Sequence, residues 1–76
     1  MNNLLKLRQA AGMSRRALAE ASGTTARSIR AWEEETRALE MAAYISIIKL
    51  AAALKCEPAD LFKEAEEKEE TPENEV

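Results

Sequence analysis

The sequence predicts an all-α fold, a compact bundle of five helices. Three observations point there. Apolar residues recur at helical spacing along most of the chain. β-branched residues are few and nowhere alternate with polar ones. The Gly and Pro residues, two of each, stand where helices would stop or start. At 76 residues the chain makes one small domain with a limited core. Hydrophobic residues are 46% of it, so packing is feasible.

The first helix starts after Asn2 or Asn3, both suited to an N-cap, and ends at Gly12. Leu4, Leu7 and Ala11 share one of its faces, and Arg8 lies about 40° from Leu4 at that face's edge, its stem partly inward. Ser14 caps a second short helix, Arg15 to Ser22, with a thin stripe of Ala17, Leu18 and Ala21. Gly23 ends it and supplies a tight turn. Thr25 is the next cap, and the third helix runs from about Ala26 to Glu34. Two short helices joined through a Gly-containing turn form a helix-turn-helix pattern. The fourth helix spans Met41 to Leu54. Its main stripe is Tyr44, Ile47, Ile48, Ala51 and Leu54, widened by Ile45 and Leu50, which predicts a central, buried helix. Pro58 suits the first turn of a fifth helix, with Leu61 and Phe62 packing back. The domain is thus expected over 1–63, followed by an acidic tail over 64–76, KEAEEKEETPENEV from Lys63 on, which has almost nothing to bury.

The net charge is −3, but it is unevenly placed. Met1 to Phe62 hold nine Lys/Arg and seven Asp/Glu, a balance of +2; Lys63 to Val76 hold two Lys and seven Glu, a balance of −5. The acidic balance therefore describes the tail, not the folded part. The chain contains no His and one Cys, Cys56. No intramolecular disulfide, His-based acid–base site or common zinc site is expected, and with no nucleophile–base pair or phosphate loop the chain reads as no enzyme. Cys56 is expected as a small core residue. No cofactor or metal is expected. The opening MNNLLKLRQAAG is too short and polar for a signal peptide, and no apolar run spans a membrane, so a soluble cytoplasmic protein is expected.

The third helix carries the functional signal. With Ile29 at the centre of its inward face, Thr25, Trp32 and Glu33 fall within about 60° of it, while Arg27, Arg30, Ala31 and Glu34 take the opposite arc. Arginines, the short hydroxyls of Thr25 and Ser28 and a helix N-terminus then point one way. That suits a phosphate backbone with base edges beside it. Arg15, Arg16 and Arg37 add positive charge, since the second helix should lie beside the third. On residue types alone the plain reading, a solvated face, competes. Glu33 leans toward the core, where an unpartnered carboxylate is costly, and Arg8 is its counterpart on the first helix. A structural Arg8–Glu33 ion pair is expected.

The ordered set Leu7-Arg8, Gly12, Met13-Ser14, Leu18-Ala19-Glu20, Gly23, Ile29 and Trp32-Glu33 resembles the Xre/Cro family of helix-turn-helix DNA-binding proteins, which includes the lambdoid phage repressors. The likeness continues through Lys49-Leu50-Ala51, Ala53-Leu54, Cys56 and Asp60-Leu61-Phe62. It implies a five-helix, lambda repressor-like domain with the third helix in the major groove, bound as a homodimer to two half-sites about one helical turn apart. It places base contacts on Ala26, Arg27, Ser28, Arg30 and Ala31, backbone contacts on Ser14, Arg15 and Thr25, and a buried pair on Arg8 and Glu33. Arg16 and Arg37 join the expected backbone contacts.

Three departures stand out. Ser14-Arg15 replaces the family's frequent Ser-Gln. Ala26 and Ala31 stand where hydrogen-bonding side chains often sit, so specificity falls on Arg27 and Arg30. Glu35 replaces the usual Gly, so the third helix is expected to run on by a turn or to end without a left-handed cap. The resulting expectation is a transcriptional regulator, a repressor, that binds double-stranded DNA at a palindromic operator. The alternative is a protein-binding module on the same fold, an antitoxin with a toxin partner or an adaptor.

Overall fold

A computed structural model of the chain describes residues 2–63. Among them are four α-helices, α1 (Leu4–Ala10), α2 (Arg15–Ser22), α3 (Ala26–Glu34) and α4 (Tyr44–Leu54), with two 3-10 segments, Leu39–Met41 and Pro58–Phe62. The all-α expectation holds. The fifth helix is a 3-10 helix, opened by Pro58 and a reciprocal pair of Glu57 and Asp60 side-chain-to-backbone hydrogen bonds. The tail expected over 64–76 lies outside the described residues.

The caps fix where the helices begin. Ser14 and Thr25 are both extended, and their hydroxyls accept from the backbone N–H of Ala17 and Ser28, each at 3.0 Å. Each cap satisfies one of the N–H groups that a helix start leaves without a partner. The helix ends share one design. Each of the four α-helices is followed by a left-handed residue: Gly12 and Gly23 at φ 69°, Glu35 at 61° and Lys55 at 57°. At each, the next residue's N–H turns back to a carbonyl in the last turn: Met13 to Arg8, Thr24 to Ala19, Thr36 to Ala31 and Cys56 to Ala51. This is the Schellman closure.

Glu35 corrects the sequence expectation, because α3 ends at Glu34 with Glu35 in the left-handed conformation. Its carboxylate Oε2 accepts from the Asn2 backbone N–H at 2.8 Å, a contact that helps offset the strain. Lys55 adopts the same strained conformation. A left-handed non-Gly residue costs about 1–2 kcal/mol, part of which Gly gives back as chain entropy. Lys55→Gly is therefore expected to stabilise the domain by about 0.5–1 kcal/mol in urea unfolding. A loss of stability would mean that the lysine side chain contributes more than its backbone strain removes.

The core is Leu4, Leu18, Ala19, Ile29, Trp32, Leu39, Leu50, Ala51, Leu54 and Leu61, contributed by every element. α2 packs on α4 and α3, and α1 closes over α3 and the Pro58–Phe62 turn. Six of these leucine and isoleucine side chains are fully buried, each worth roughly 1.5–3 kcal/mol relative to exposure. Buried Ser22 is satisfied by donating to the Leu18 carbonyl at 2.7 Å and pairing with Thr24 Oγ1 at 2.9 Å.

α4 is buried only over its second half. Leu50, Ala51 and Leu54 are in the core, whereas Tyr44 and Ile45 are 77% and 58% exposed, so the expected stripe fails at its first turn. The helix also starts at Tyr44 rather than Met41. Leu39, fully buried, pulls residues 39–41 into a 3-10 turn of their own, leaving Met41 outside at 84% exposure.

Candidate nucleic-acid interface

α3 is divided by its own periodicity. Ile29, Trp32 and Glu33 are buried, and Arg27 and Arg30 are exposed. Ala26, Ser28 and Ala31 are half-buried between them. The five expected base-contacting positions therefore lie on one helix, on and beside its solvent face. Ser14, Arg16, Thr25 and Arg37, expected to meet the backbone, are exposed as well, and Arg15 is half-buried.

Glu33 is the anchor of this face. Its side chain is 1% exposed and takes two arginines. Arg8 Nε donates to Oε2 at 2.5 Å and an Arg8 terminal nitrogen to Oε1 at 3.2 Å; Arg15 Nε donates to Oε1 at 2.9 Å. Arg8 also donates to the Met13 carbonyl at 2.9 Å. One carboxylate thus ties α1, α2 and α3 together, fixing the angle between the two helices of the turn. The Arg8–Glu33 pair is as expected. The participation of Arg15 is not legible from α3's helical wheel alone, since it depends on how α2 crosses α3. Because Arg15 Nε is engaged and its side chain stays 37% exposed, its terminal nitrogens remain accessible to an anion while its stem is held.

The three arginines around α3's outer face are in different states. Arg27 has no hydrogen-bond or ion-pair partner for its side chain among the described residues. Arg30 Nε donates to Glu34 Oε2 at 3.0 Å, an i,i+4 pair with 65% and 47% side-chain exposure. Arg37 reaches back from the loop to donate to Ser28 Oγ at 3.0 Å, and its guanidinium lies 5.5 Å from the centre of the Trp32 ring. That stacking is a cation–π contact. Leu39, buried two residues on, pins the loop that makes it.

A further contact escaped the sequence reading. Asn2 Oδ1 accepts the Leu4 N–H at 3.0 Å while its amide donates to the Trp32 carbonyl at 3.0 Å, so one side chain joins the start of α1 to the end of α3. The signal for it was the run Asn2-Asn3 before an apolar helix, which by itself names a cap and not a partner.

Other chemistry is thinly represented. Cys56 is half-buried, and desolvation, then the nearby Asp60 and Glu57 carboxylates, hold its thiol above the ordinary value. That disfavours the thiolate a nucleophile needs. Among the described residues there is no cluster of metal-ligating side chains, and no helix is long and apolar enough to cross a membrane.

A family model described as helix-turn-helix matches residues 4–61, the span from the first residue of α1 to the last 3-10 turn. No curated protein and no solved structure matches the chain significantly. The matched span includes the Ser14 and Thr25 caps, the Gly23 turn and the Arg8–Glu33 anchor, and by that match the chain belongs to the Xre/Cro-like helix-turn-helix family of DNA-binding proteins.

Proposed function

We infer that this chain is a sequence-specific transcriptional regulator that lays α3 in the DNA major groove. The observation that carries the reading is the division of α3, with Ile29, Trp32 and Glu33 buried and Arg27 and Arg30 turned to solvent. Arg27 and Arg30 read bases, with guanine O6 and N7 the best bidentate acceptors. Ala26 and Ala31 contribute at most contacts to thymine methyls, and Ser28 completes the base-facing set. Ser14, Arg15, Arg16, Thr25 and Arg37 hold the backbone. Residues 1–63 are the DNA-binding unit, and 64–76 add negative charge after it. The role proposed for it is repression in the cytoplasm, by covering an operator that overlaps a promoter. A homodimer on a palindromic operator sets its two α3 helices about 34 Å apart.

Arg16 separates backbone holding from base reading. It is exposed, and among the described residues its one ion pair is to Glu20 at 3.4 Å. Arg16→Ala is expected to weaken selected and mixed-sequence DNA by the same factor and to lower the slope of log affinity against log salt by about 0.9. A loss confined to the selected site would make Arg16 a base reader instead.

A second reading is favoured by one observation. Among the described residues Met41, Tyr44 and Ile45 are the large exposed apolar side chains, all between positions 41 and 45. A toxin or other protein partner would cover them if the chain were an antitoxin or adaptor. A duplex titration at low salt divides the two readings. Binding that weakens steeply with salt supports the regulator; no binding, with a second small protein co-purifying, supports the adaptor.

A further inference from the structure

We propose that Arg37 fixes Ser28 as a hydrogen-bond donor in the major groove, so that Ser28 reads a base edge by its acceptor atoms. This rests on α3 being the DNA-reading helix, and it deepens that reading. A serine hydroxyl ordinarily both gives and takes hydrogen bonds, and so tells bases apart poorly. On a helix it often gives its proton to the carbonyl one turn back. Ser22 does so, donating to the Leu18 carbonyl at 2.7 Å. Ser28 does not. Among the described residues its oxygen accepts from Arg37 Nη1 at 3.0 Å, and its proton has no acceptor.

Arg37 can direct Ser28 because it is itself held. Its guanidinium lies 5.5 Å from the centre of the Trp32 ring, its backbone N–H donates to the Ala31 carbonyl at 3.3 Å, and Leu39 is buried two residues on. Ser28 and Trp32 are one turn apart on α3, so a single guanidinium meets both. A cation donating to Ser28 Oγ takes one lone pair, turns the O–H away from itself and strengthens it as a donor. It also sets a positive charge beside the second lone pair, where the amino group of adenine or cytosine would have to approach. Guanine O6, purine N7 and thymine O4 are the acceptors that fit. The Arg37–Ser28 contact is kept when DNA binds, so its effect depends on the base edge it meets. The donors that Arg37 does not give to Ser28 remain for a phosphate. Arg37 acts on the base through Ser28 and is a positioning residue.

The test uses the full chain, selection from a random duplex pool, and anisotropy on the selected and the mixed-sequence duplexes. Ser28→Ala is expected to flatten base preference at one position of each half-site. It should lower the ratio of selected to mixed affinity about fivefold, the worth of one hydrogen bond. Arg37→Ala is expected to flatten that same position and to lower the ratio about threefold. It should also weaken mixed-pool binding and reduce the salt slope by about 0.9, for the phosphate contact it loses. With Ser28→Ala already present, Arg37→Ala is expected to change the ratio by less than about 1.5-fold. The guanine preference assigned to Arg27 stays in every variant, which a general loosening of α3 would not allow. Intact preference at the Ser28 position in Arg37→Ala would overturn the proposal, because Arg37 would then hold phosphate alone. So would a further full fall of the ratio in the double variant, which would make Arg37 a reader in its own right. Equal losses on both duplexes for Ser28→Ala would overturn it too, by placing the Ser28 proton on a phosphate. A wild type that binds no duplex, or binds all sequences alike, would overturn the DNA-reading assignment of α3 itself.

Discussion

Glu33→Ala is expected to lower the free energy of unfolding by about 3–5 kcal/mol, the cost of leaving a buried charge unpaired. The carboxylate is 1% exposed and holds Arg8, itself 12% exposed, and Arg15, 37% exposed. Without it, Arg8 keeps the Met13 carbonyl as its one acceptor among the described residues, while Arg15 can turn to water. Domains of this length have roughly 4–11 kcal/mol of stability in all, so the loss removes a large share of it, and at the lower end of that range much of the population unfolds. Arg15→Ala is the milder change, about 1 kcal/mol or less, because the pair it removes is partly exposed and Glu33 keeps its two hydrogen bonds from Arg8. Urea unfolding followed by circular dichroism measures both. A loss below about 1 kcal/mol for Glu33→Ala would show that the three-helix clasp is not a structural node.

Arg27→Ala is expected to cost about 1–3 kcal/mol of binding on the selected operator and to relax base preference at one position of each half-site. The fold should be unchanged, since the side chain is exposed and has no partner among the described residues. Arg27 is the best candidate for the dominant reader because it gives up no internal contact to reach a base. Arg30→Ala should cost less, since that arginine exchanges Glu34 for DNA. Equal losses for Arg27→Ala on selected and random duplexes would assign it to the phosphates instead.

Much of this was legible in the sequence because local rules and tertiary packing agree. Ser14 and Thr25 cap where hydroxyl residues precede a helical pattern, Gly23 turns the chain, and the helical wheel of α3 separates Ile29, Trp32 and Glu33 from Arg27 and Arg30. The Arg8–Glu33 pair followed from two charges on inward faces, each needing the other.

The departures arise where tertiary contacts override a local preference. Glu35 takes a glycine's conformation while Asn2, brought over by α1, hydrogen-bonds its carboxylate. Arg15 joins Glu33 because α2 crosses α3 at that point, and Arg37 folds over Trp32 because Leu39 is buried beyond it. The apolar run of α4 promised a wholly buried helix, but burial depends on what covers a face. Nothing among the described residues covers Tyr44 and Ile45.

The central claim, that α3 reads sequence in duplex DNA, is tested most directly by selecting bound duplexes from a random pool at near-physiological salt. The expected result is one enriched motif with two inverted half-sites about one helical turn apart and a guanine in each half-site that Arg27→Ala no longer requires. Recovery of an unenriched pool by a folded wild-type chain would contradict the claim.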